Sequence, residues 1–242
     1  MFVLALVAGV LVLFPPGLDV AGLGGSSGGG RRAVIVDQLS LTAPNPDFVR
    51  DTRALLEANG YTVDYAGGEQ ITVDFYRNLP KGNYGLVILR VHSTAEVTRG
   101  SEDVTAVSLF TGQPYTRELY YQEQLQGRVG FAQYTEDGPK FFGITSEFVQ
   151  KSMNGDFNGA TVLMMGCQGF INNRGAEAFA DKGARTFIGW DGLVSAQHTD
   201  AATEALVRQI VQNGADPKKA IELTMADVGP DPTYGSHLIS RP

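Results

Sequence analysis

One cysteine and one histidine have the residue types and the sequence setting of a catalytic pair. Cys167 is the only cysteine in 242 residues, and it follows the apolar run 162–165. His92 follows a similar, largely apolar run at 86–91. Short continuous runs of this kind are typical of strands buried on both faces of a parallel sheet. If the two strands are neighbours, the thiol and the imidazole lie close together as a nucleophile and its base.

Each of these residues also has a purely structural interpretation. An isolated cysteine is more often an inert residue of the core than a nucleophile, and an isolated histidine more often makes a structural contact. Their common position favours catalysis, because open α/β sheets bind their ligands at the carboxyl ends of the strands. Small residues beside the pair, Ser93, Gly166 and Gly169, would also let a substrate approach the backbone.

The elements that must position this pair alternate between strands and helices. Strands are predicted at 33–36, 61–65, 84–93, 161–165 and 186–190, and helices at 45–59, 73–79, 145–151, 176–182, 200–211 and 216–225. Asn45 followed by Pro46 is a typical helix start, because asparagine caps the first turn and proline fits within it. The alternation predicts an α/β fold of three layers, in which helices cover both faces of a doubly wound, mainly parallel sheet.

Residues 94–140 interrupt the alternation. Apolar residues at every second position, with Gly and Pro between them, predict a β-hairpin insert here. The insert leaves the sheet just after His92 and returns before the Cys167 strand, so we expect it to lie over the pair. It would act as a lid or as part of a substrate groove, and a hairpin without function is equally consistent with the sequence.

Composition excludes several classes of partner. The net charge is −7, and no dense cluster of Lys and Arg occurs, which argues against a nucleic-acid partner. A single cysteine excludes an intrachain disulfide. With only three histidines besides, the chain has too few typical ligands for a structural zinc site. We therefore expect neither a metal nor a cofactor.

The amino terminus has the composition of a targeting segment. Residues 1–14 are uncharged and apolar, and residues 24–30 contain only Gly and Ser. A run of about fourteen residues matches the core of a signal peptide and is shorter than the roughly twenty needed to span a membrane. A Gly/Ser segment is a flexible linker. We predict a signal peptide or membrane anchor plus linker over 1–30, and a folded domain over 31–242 held outside the cytoplasm.

The order of the motifs resembles that of the caspase-like cysteine peptidases, which include caspases, gingipains, clostripain, separase and CHAT domains. The resemblance rests on the strand ending in His92-Ser93, on the strand ending in Gly166-Cys167, and on the segment 176–211. That segment, with its Gly-Ala-Arg turn, its strand ending at a tryptophan and its Ala-rich helix, is most similar to the gingipain and CHAT branches. The resemblance covers about residues 33–228 and implies a caspase-like fold.

The resemblance also implies covalent acyl transfer on a peptide or protein substrate. Cys167 would attack the peptide carbonyl, while His92 assists thiolate formation and then protonates the leaving amine. Backbone N–H groups of Ser93, Gly166 and Cys167 would hold the oxyanion. The family commonly has glycine where this chain has Ser93, and the spacing between His92 and Cys167 is long. Both departures keep a catalytically inactive binding domain open as the alternative.

Two acidic residues bear on specificity. Asp37 ends the first strand, and Trp190-Asp191 ends the strand after the Cys167 strand, so we expect these residues at the rim of the site. An acidic pocket would favour cleavage after Lys or Arg, as in gingipain-like and clostripain-like enzymes. A turn or helix cap is an equally good interpretation of Asp191. His198, close to the same rim in sequence, is a second candidate base.

Two further inferences limit the alternatives. A small-molecule site of the flavodoxin or Rossmann type is disfavoured, because the turn at 37–40 lacks the G-x-G-x-x-G pattern of dinucleotide binding. The dyad hypothesis predicts that the thiol pKa of Cys167 lies well below the ordinary value of about 8.5. It also predicts that this depression disappears when His92 is replaced.

Overall fold

The computed structural model describes residues 31–97 and 104–241. The strands are β1 (Arg31–Asp37), β2 (Tyr61–Gly67), β3 (Leu86–Arg90), β4 (Ser93–Val97), β5 (Val104–Pro114), β6 (Val129–Gln133), β7 (Lys140–Ile144), β8 (Thr161–Met164), β9 (Thr186–Trp190) and β10 (Leu238–Arg241). The α-helices are α1 (Pro46–Ala58), α2 (Val73–Asn78), α3 (Tyr121–Leu125), α4 (Ser146–Ser152), α5 (Arg174–Asp181), α6 (Ala196–Val211) and α7 (Pro217–Val228). A 3-10 helix at Gln38–Leu41 follows β1 directly.

The central sheet has six strands in the order β2-β1-β3-β8-β9-β10. Its first five strands are parallel to their neighbours, and β10 pairs antiparallel with β9. The chain leaves β1 towards β2 on one side and later reaches β3 on the other side. Strand order therefore reverses between β1 and β3, and the carboxyl ends of strands at such a reversal are where open α/β sheets have their ligand-binding crevice.

Helices cover both faces of the central sheet. Alternate residues of its strands, such as Ile35, Ile88 and Leu163, pack against one set of helices, namely α1, α6 and α7. The intervening residues, such as Val36 and Leu89, pack on the opposite face against α2, α4 and α5. Because both faces are buried, the strands read in the sequence as continuous apolar runs.

A second sheet of four antiparallel strands covers residues 93–144, in the order β4-β5-β7-β6. Its side chains Leu109, Phe142 and Ile144 are buried in the same cluster as α2, α4 and α5. The chain enters β4 at Ser93, immediately after His92. The second sheet therefore starts at the carboxyl edge of the central sheet, beside the candidate site.

Local sequence signals account for the ends of α1. The Asn45 side chain accepts a hydrogen bond from the Phe48 N–H at 3.1 Å, and Pro46 occupies the first turn. The helix ends at Asn59, and Gly60 follows with φ of 82°, a left-handed conformation that glycine adopts without strain. The start and the end of this helix were both predicted from the sequence.

The structure confirms the mixed α/β class and the mainly parallel central sheet. Three elements differ from the prediction. Helix α3 lies within the region predicted to form hairpins, and β10 lies in the tail, for which no strand was predicted. Helix α6 begins at Ala196, four residues before the predicted start. Its first turns contain the buried polar residues Thr199 and Asp200, which conceal the amphipathic pattern.

The predicted signal peptide or anchor falls on residues 1–30, outside the described residues. Within the residues that are described, no helix has both the length and the apolar character needed to cross a membrane.

Candidate active site

Cys167 and His92 follow adjacent strands of the central sheet. Strands β3 and β8 are parallel neighbours in which Leu89 pairs with Met164, so the two segments that follow leave the sheet at the same edge. The Ser93 hydroxyl donates a hydrogen bond to the Cys167 carbonyl. A residue with a side chain at Gly166 would collide with the Val91 carbonyl oxygen and with the Ser93 side chain. The segments carrying Cys167 and His92 are therefore in direct contact, and glycine at 166 permits it.

The thiol of Cys167 points towards the loop between β9 and α6. Its Sγ donates to the Val194 carbonyl at 3.6 Å, and the side chain packs against the apolar cluster beneath α1, α6 and α7. Burial raises the pKa of the Cys167 thiol above its ordinary value, and the negative charge of Asp231 adds to this effect. In this arrangement the sulfur is a protonated thiol at neutral pH.

The imidazole of His92 lies among residues from three other segments. Its Nε2 is 2.8 Å from the Thr42 hydroxyl, and its ring centroid is 4.7 Å from that of Tyr134 and 5.8 Å from that of Phe110. Burial lowers the pKa of His92 to about 4, and the positive charge of Arg90 contributes to the shift. The ring is therefore uncharged at neutral pH and able to accept a proton.

The thiol and the imidazole are not hydrogen-bonded to each other. Both side chains belong to the described residues, and their partners are Val194 and Thr42 respectively. The dyad hypothesis predicted a depressed thiol pKa, and the structure gives the opposite direction because the sulfur is buried and does not face His92. The structure thus brings the two residues to one edge of the sheet without a hydrogen bond between them.

The backbone N–H of Ser93 is not used by the second sheet. The Phe110 N–H donates to the His92 carbonyl at 3.0 Å, so the next pair, Ser93 and Leu109, is a non-hydrogen-bonded pair of the antiparallel ladder. The Ser93 N–H therefore points away from β5. On the same side of β4, the Ala95 N–H donates to the Gln168 side chain at 3.2 Å, so the turn after Cys167 borders this edge.

The predicted oxyanion donors lie around this turn. Gln168 has φ of 58°, a left-handed conformation, and its N–H donates to the Gly192 carbonyl at 2.7 Å. Within the described part of the chain, the N–H groups of Gly166 and Cys167 have no hydrogen-bond acceptor. Together with the Ser93 N–H, they are the donors that a bound carbonyl oxygen could use.

The other predicted site residues have different surroundings. Asp37 is 1% exposed and is paired with Arg90 at 2.6 Å, so its charge is neutralised below the rim. Trp190 is fully buried, and its Nε1 donates to the Thr199 hydroxyl at 2.9 Å. Asp191 is at the surface, where its carboxylate accepts the His237 N–H at 2.8 Å. Of these three residues, Asp37 and Trp190 are buried and Asp191 is exposed.

A buried ion network beneath the site was not predicted. Arg90 is 1% exposed and binds the Asp200 carboxylate of α6 through two nitrogens, at 2.6 and 2.8 Å. A third nitrogen, Nη1, binds Asp37, and Nη2 also donates to the Ala43 carbonyl at 2.8 Å. The available signal was an arginine inside an apolar strand, since a buried charge requires a partner.

His198, the second candidate base, pairs with the Gly229 carbonyl at 3.2 Å.

The part of the chain that the structure describes contains no group of three His, Cys, Asp or Glu side chains able to hold a metal ion. Fold and site together define a mixed α/β protein with a cysteine and a histidine at the carboxyl edge of a mainly parallel sheet.

A comparison with solved structures found similar chains, among them a cysteine proteinase. No protein-family model matches the chain, and no curated protein matches its sequence. A crystal structure of the Arg-specific cysteine proteinase gingipain R (RGPB) aligns with a TM-score of 0.48 at 10% sequence identity. The alignment covers 81% of this chain and 42% of the proteinase chain, so this chain spans less than half of the proteinase's length.

Proposed function

We propose that this chain is a cysteine peptidase of the caspase-like group, with Cys167 as the nucleophile and His92 as the base. The observation that carries the proposal is that the sole cysteine and His92 follow adjacent parallel strands, β8 and β3, and leave the sheet at one edge. That edge borders the point where strand order reverses, which is where α/β sheets of this kind bind ligands.

The proposed reaction begins with rotation of the Cys167 side chain from Val194 towards His92. The thiol proton passes to the imidazole while Sγ bonds to the peptide carbonyl carbon, and the carbonyl electron pair moves onto oxygen. The N–H groups of Ser93 and Cys167 would donate to this oxyanion, and losing one such donor commonly costs about 2.7–4 kcal/mol. As the C–N bond breaks, His92 protonates the leaving amine. Water then hydrolyses the thioester, with His92 as the base.

The charge states of His92 and Cys167 define the proposed resting pair. With a pKa of about 4, the imidazole is unprotonated at neutral pH, and the thiol is protonated because its own pKa is raised. The proposed resting dyad is therefore a neutral pair, and proton transfer accompanies attack on the substrate.

The proposal is tested with the full chain and a set of reporter peptides that carry Arg, Lys, Ala or Asp before the scissile bond. Cys167→Ala and His92→Gln should each lower kcat/KM by about 10³-fold or more. His198→Gln is the matched control, because it removes a histidine that contacts Gly229, and it should keep wild-type activity. Urea unfolding of each variant checks folding. Activity that survives in folded Cys167→Ala would overturn the proposal.

We further propose a preference for Lys or Arg before the cut bond, supported by the exposed carboxylate of Asp191. Its Oδ1 accepts the His237 N–H, and the side chain is exposed to solvent. Asp37 is not part of this proposal, because Arg90 neutralises it in the core. Asp191→Asn should therefore lower the ratio of Arg to Ala reporter cleavage, and an unchanged ratio would remove the specificity proposal alone.

A second candidate function is binding without catalysis. The observation that favours it is the direction of the thiol, which contacts Val194 and packs into the core instead of facing His92. A binding domain would leave Cys167 unlabelled by a peptidyl-arginine chloromethyl ketone at pH 7. A peptidase would be labelled at Cys167 in the wild type, and His92→Gln would prevent the labelling.

We also propose that residues 1–30 direct the domain out of the cytoplasm. The support is the apolar run at 1–14 and the Gly/Ser linker at 24–30. Fractionation of cells that express the full chain, with protease added from outside, is the test. A protein confined to the cytoplasmic fraction would contradict this proposal and leave the peptidase proposal standing.

A further inference from the structure

The segment that follows β1 holds His92 at two points. The Gln38 side chain accepts the His92 backbone N–H at 3.0 Å through Oε1. Four residues later, the Thr42 hydroxyl lies 2.8 Å from Nε2 of the same histidine. The backbone and the ring of His92 are therefore held by one short stretch of chain at the crevice between β1 and β3.

The second sheet holds the other side of the imidazole. The Tyr134 ring lies against the His92 ring with centroids 4.7 Å apart, and it stacks on Phe110 at 5.2 Å. The Gln38 side chain, which is fully buried, donates to the Tyr134 hydroxyl at 2.5 Å through Nε2. Gln38 thus connects Tyr134, which packs on the His92 ring, to the segment that carries Thr42.

The segment with Gln38 and Thr42 is itself anchored. The N–H groups of Thr42 and Ala43 both donate to the Leu39 carbonyl, at 3.0 and 2.7 Å. The Ala43 carbonyl accepts from Arg90 at 2.8 Å, and the Ser40 hydroxyl donates to the Asp37 carbonyl at 2.6 Å. Although Thr42 is solvent-exposed, the residue that follows it, Ala43, is bound by the arginine of the buried ion network.

The two ring nitrogens of a neutral histidine have different roles. One carries a proton and donates, whereas the other has a lone pair and accepts, and the partner of one nitrogen decides the role of the other. A threonine hydroxyl can accept a proton from Nε2. When it does, the lone pair is on Nδ1, the nitrogen that Thr42 leaves free.

We infer that Thr42 is a positioning residue that accepts the Nε2–H of His92, so that Nδ1 is the nitrogen that takes the proton of the Cys167 thiol. Gln38 and Tyr134 hold the ring in the plane that this hydrogen bond requires. The inference deepens the proposed function and rests on it for the role of Nδ1. The hydrogen bond and the tautomer can be measured without any substrate.

The first test is nuclear magnetic resonance on the full chain with ¹⁵N-labelled histidine at pH 7, using long-range ¹H–¹⁵N correlations. His92→Gln identifies the signals of His92. The wild type should show His92 protonated on Nε2. Thr42→Val, which removes only the hydroxyl, should give a mixture of tautomers, and Thr42→Ser should restore the wild-type form.

Ser40→Ala is the matched control for this measurement. It lies in the same segment but contacts the Asp37 carbonyl instead of the ring, so it should leave the tautomer of His92 unchanged. A wild-type His92 protonated on Nδ1, or a Thr42→Val spectrum identical to that of the wild type, would overturn the inference.

The second test uses the reporter peptides. Thr42→Val should lower kcat about 5–10-fold with KM unchanged, since the loss of one hydrogen bond misorients a base without removing it. Thr42→Ser should return kcat to within about twofold of the wild type. An active wild type whose kcat is insensitive to Thr42→Val would overturn the inference and leave the peptidase standing. An inactive wild type with the predicted tautomers would overturn the proposed function while the role of Thr42 as a partner of the ring stands.

Discussion

At the scale of single residues, the direction of the Cys167 side chain decides the chemical state of the site. The thiol is held by a backbone carbonyl, Val194, on the side of the sheet that faces α1 and α6. The imidazole instead contacts Thr42 and Tyr134. In this arrangement the thiol and the imidazole have separate partners, Val194 and Thr42.

This geometry makes a prediction about the reactivity of Cys167. The pH midpoint for its alkylation by iodoacetamide should lie above the ordinary thiol value of about 8.5, because burial and the charge of Asp231 both disfavour the thiolate. The same thiol in urea-unfolded chain is the control, and its midpoint should return to the ordinary value. A midpoint below about 8 in the folded protein would contradict the structure.

Ser93 and Gly166 allow the segments that carry His92 and Cys167 to contact each other. The Ser93 hydroxyl binds the carbonyl of Cys167, and its N–H points to the same side, away from β5. Gly166 is required because the Val91 carbonyl occupies the space of a side chain. Ser93 thus adds a contact between the two strand ends.

At the scale of elements, the ends of β1 and β3 are joined to α6 by the Arg90 network. Asp37 ends β1, Arg90 ends β3, and Asp200 lies in the first half of α6. All three side chains are buried, and both carboxylates are hydrogen-bonded to the guanidinium. The elements that carry His92 and its partners therefore keep one relative position.

Breaking this network should destabilise the whole fold. Arg90→Met leaves two buried carboxylates without their cation, and it should lower the free energy of unfolding by about 3–5 kcal/mol in urea titrations. Arg50→Met is the matched control, because Arg50 pairs with Asp47 and Asp51 on the exposed surface of α1. That variant should unfold close to the wild type. Equal unfolding midpoints for the two variants would contradict the role assigned to the network.

At the scale of the whole molecule, the tail after α7 packs against β9 and the loop that follows β9. Strand β10 adds an antiparallel edge to the central sheet. The Asp231 carboxylate accepts the N–H and the hydroxyl of Ser195, at 2.9 and 2.8 Å, beside the residue that binds the thiol. The pKa of Asp231 is lowered: burial acts to raise it, and the hydrogen bonds from Ser195 and from the Tyr234 and Thr233 N–H groups together outweigh burial. The last part of the described chain thus holds the loop that contains Val194 and Ser195, which contacts the Cys167 thiol.

The stability of the whole protein should depend on pH through His92. Its pKa falls from the ordinary 6.5 to about 4 in the folded state, so below pH 6.5 the unfolded chain binds a proton that the folded protein does not. Protonation therefore favours unfolding, and stability is lost as the pH falls from about 6.5 to about 4. The full shift corresponds to about 3 kcal/mol, and solvent access to the ring reduces the expected loss to about 1–2 kcal/mol.

This dependence is measured by urea unfolding of the wild type and of His92→Gln at intervals between pH 7 and pH 4. The stability difference between the two proteins should shrink or reverse towards pH 4, because the variant lacks the titrating group. His237→Gln, which replaces an exposed histidine, should keep the wild-type profile. Parallel profiles for the wild type and His92→Gln would contradict the structural assignment.

The sequence by itself determined the order of the main elements and the two residues at the edge of the sheet. Continuous apolar runs identify strands buried on both faces, and Asn45, Pro46 and Gly60 mark the limits of α1. These signals are local, because burial and capping act within a few residues of the chain. That is why Cys167 and His92 could be assigned to strand ends without a structure.

Only the tertiary structure decided which side chains meet. The partners of His92, namely Gln38, Thr42 and Tyr134, come from segments that no periodicity connects to it. The acidic residues expected at the rim separated for the same reason, since Asp37 binds Arg90 in the core while Asp191 binds the tail. Strand β10 also depends on a distant partner, β9. Contacts between distant segments set the direction of each side chain, and here they turned the thiol away from its predicted base.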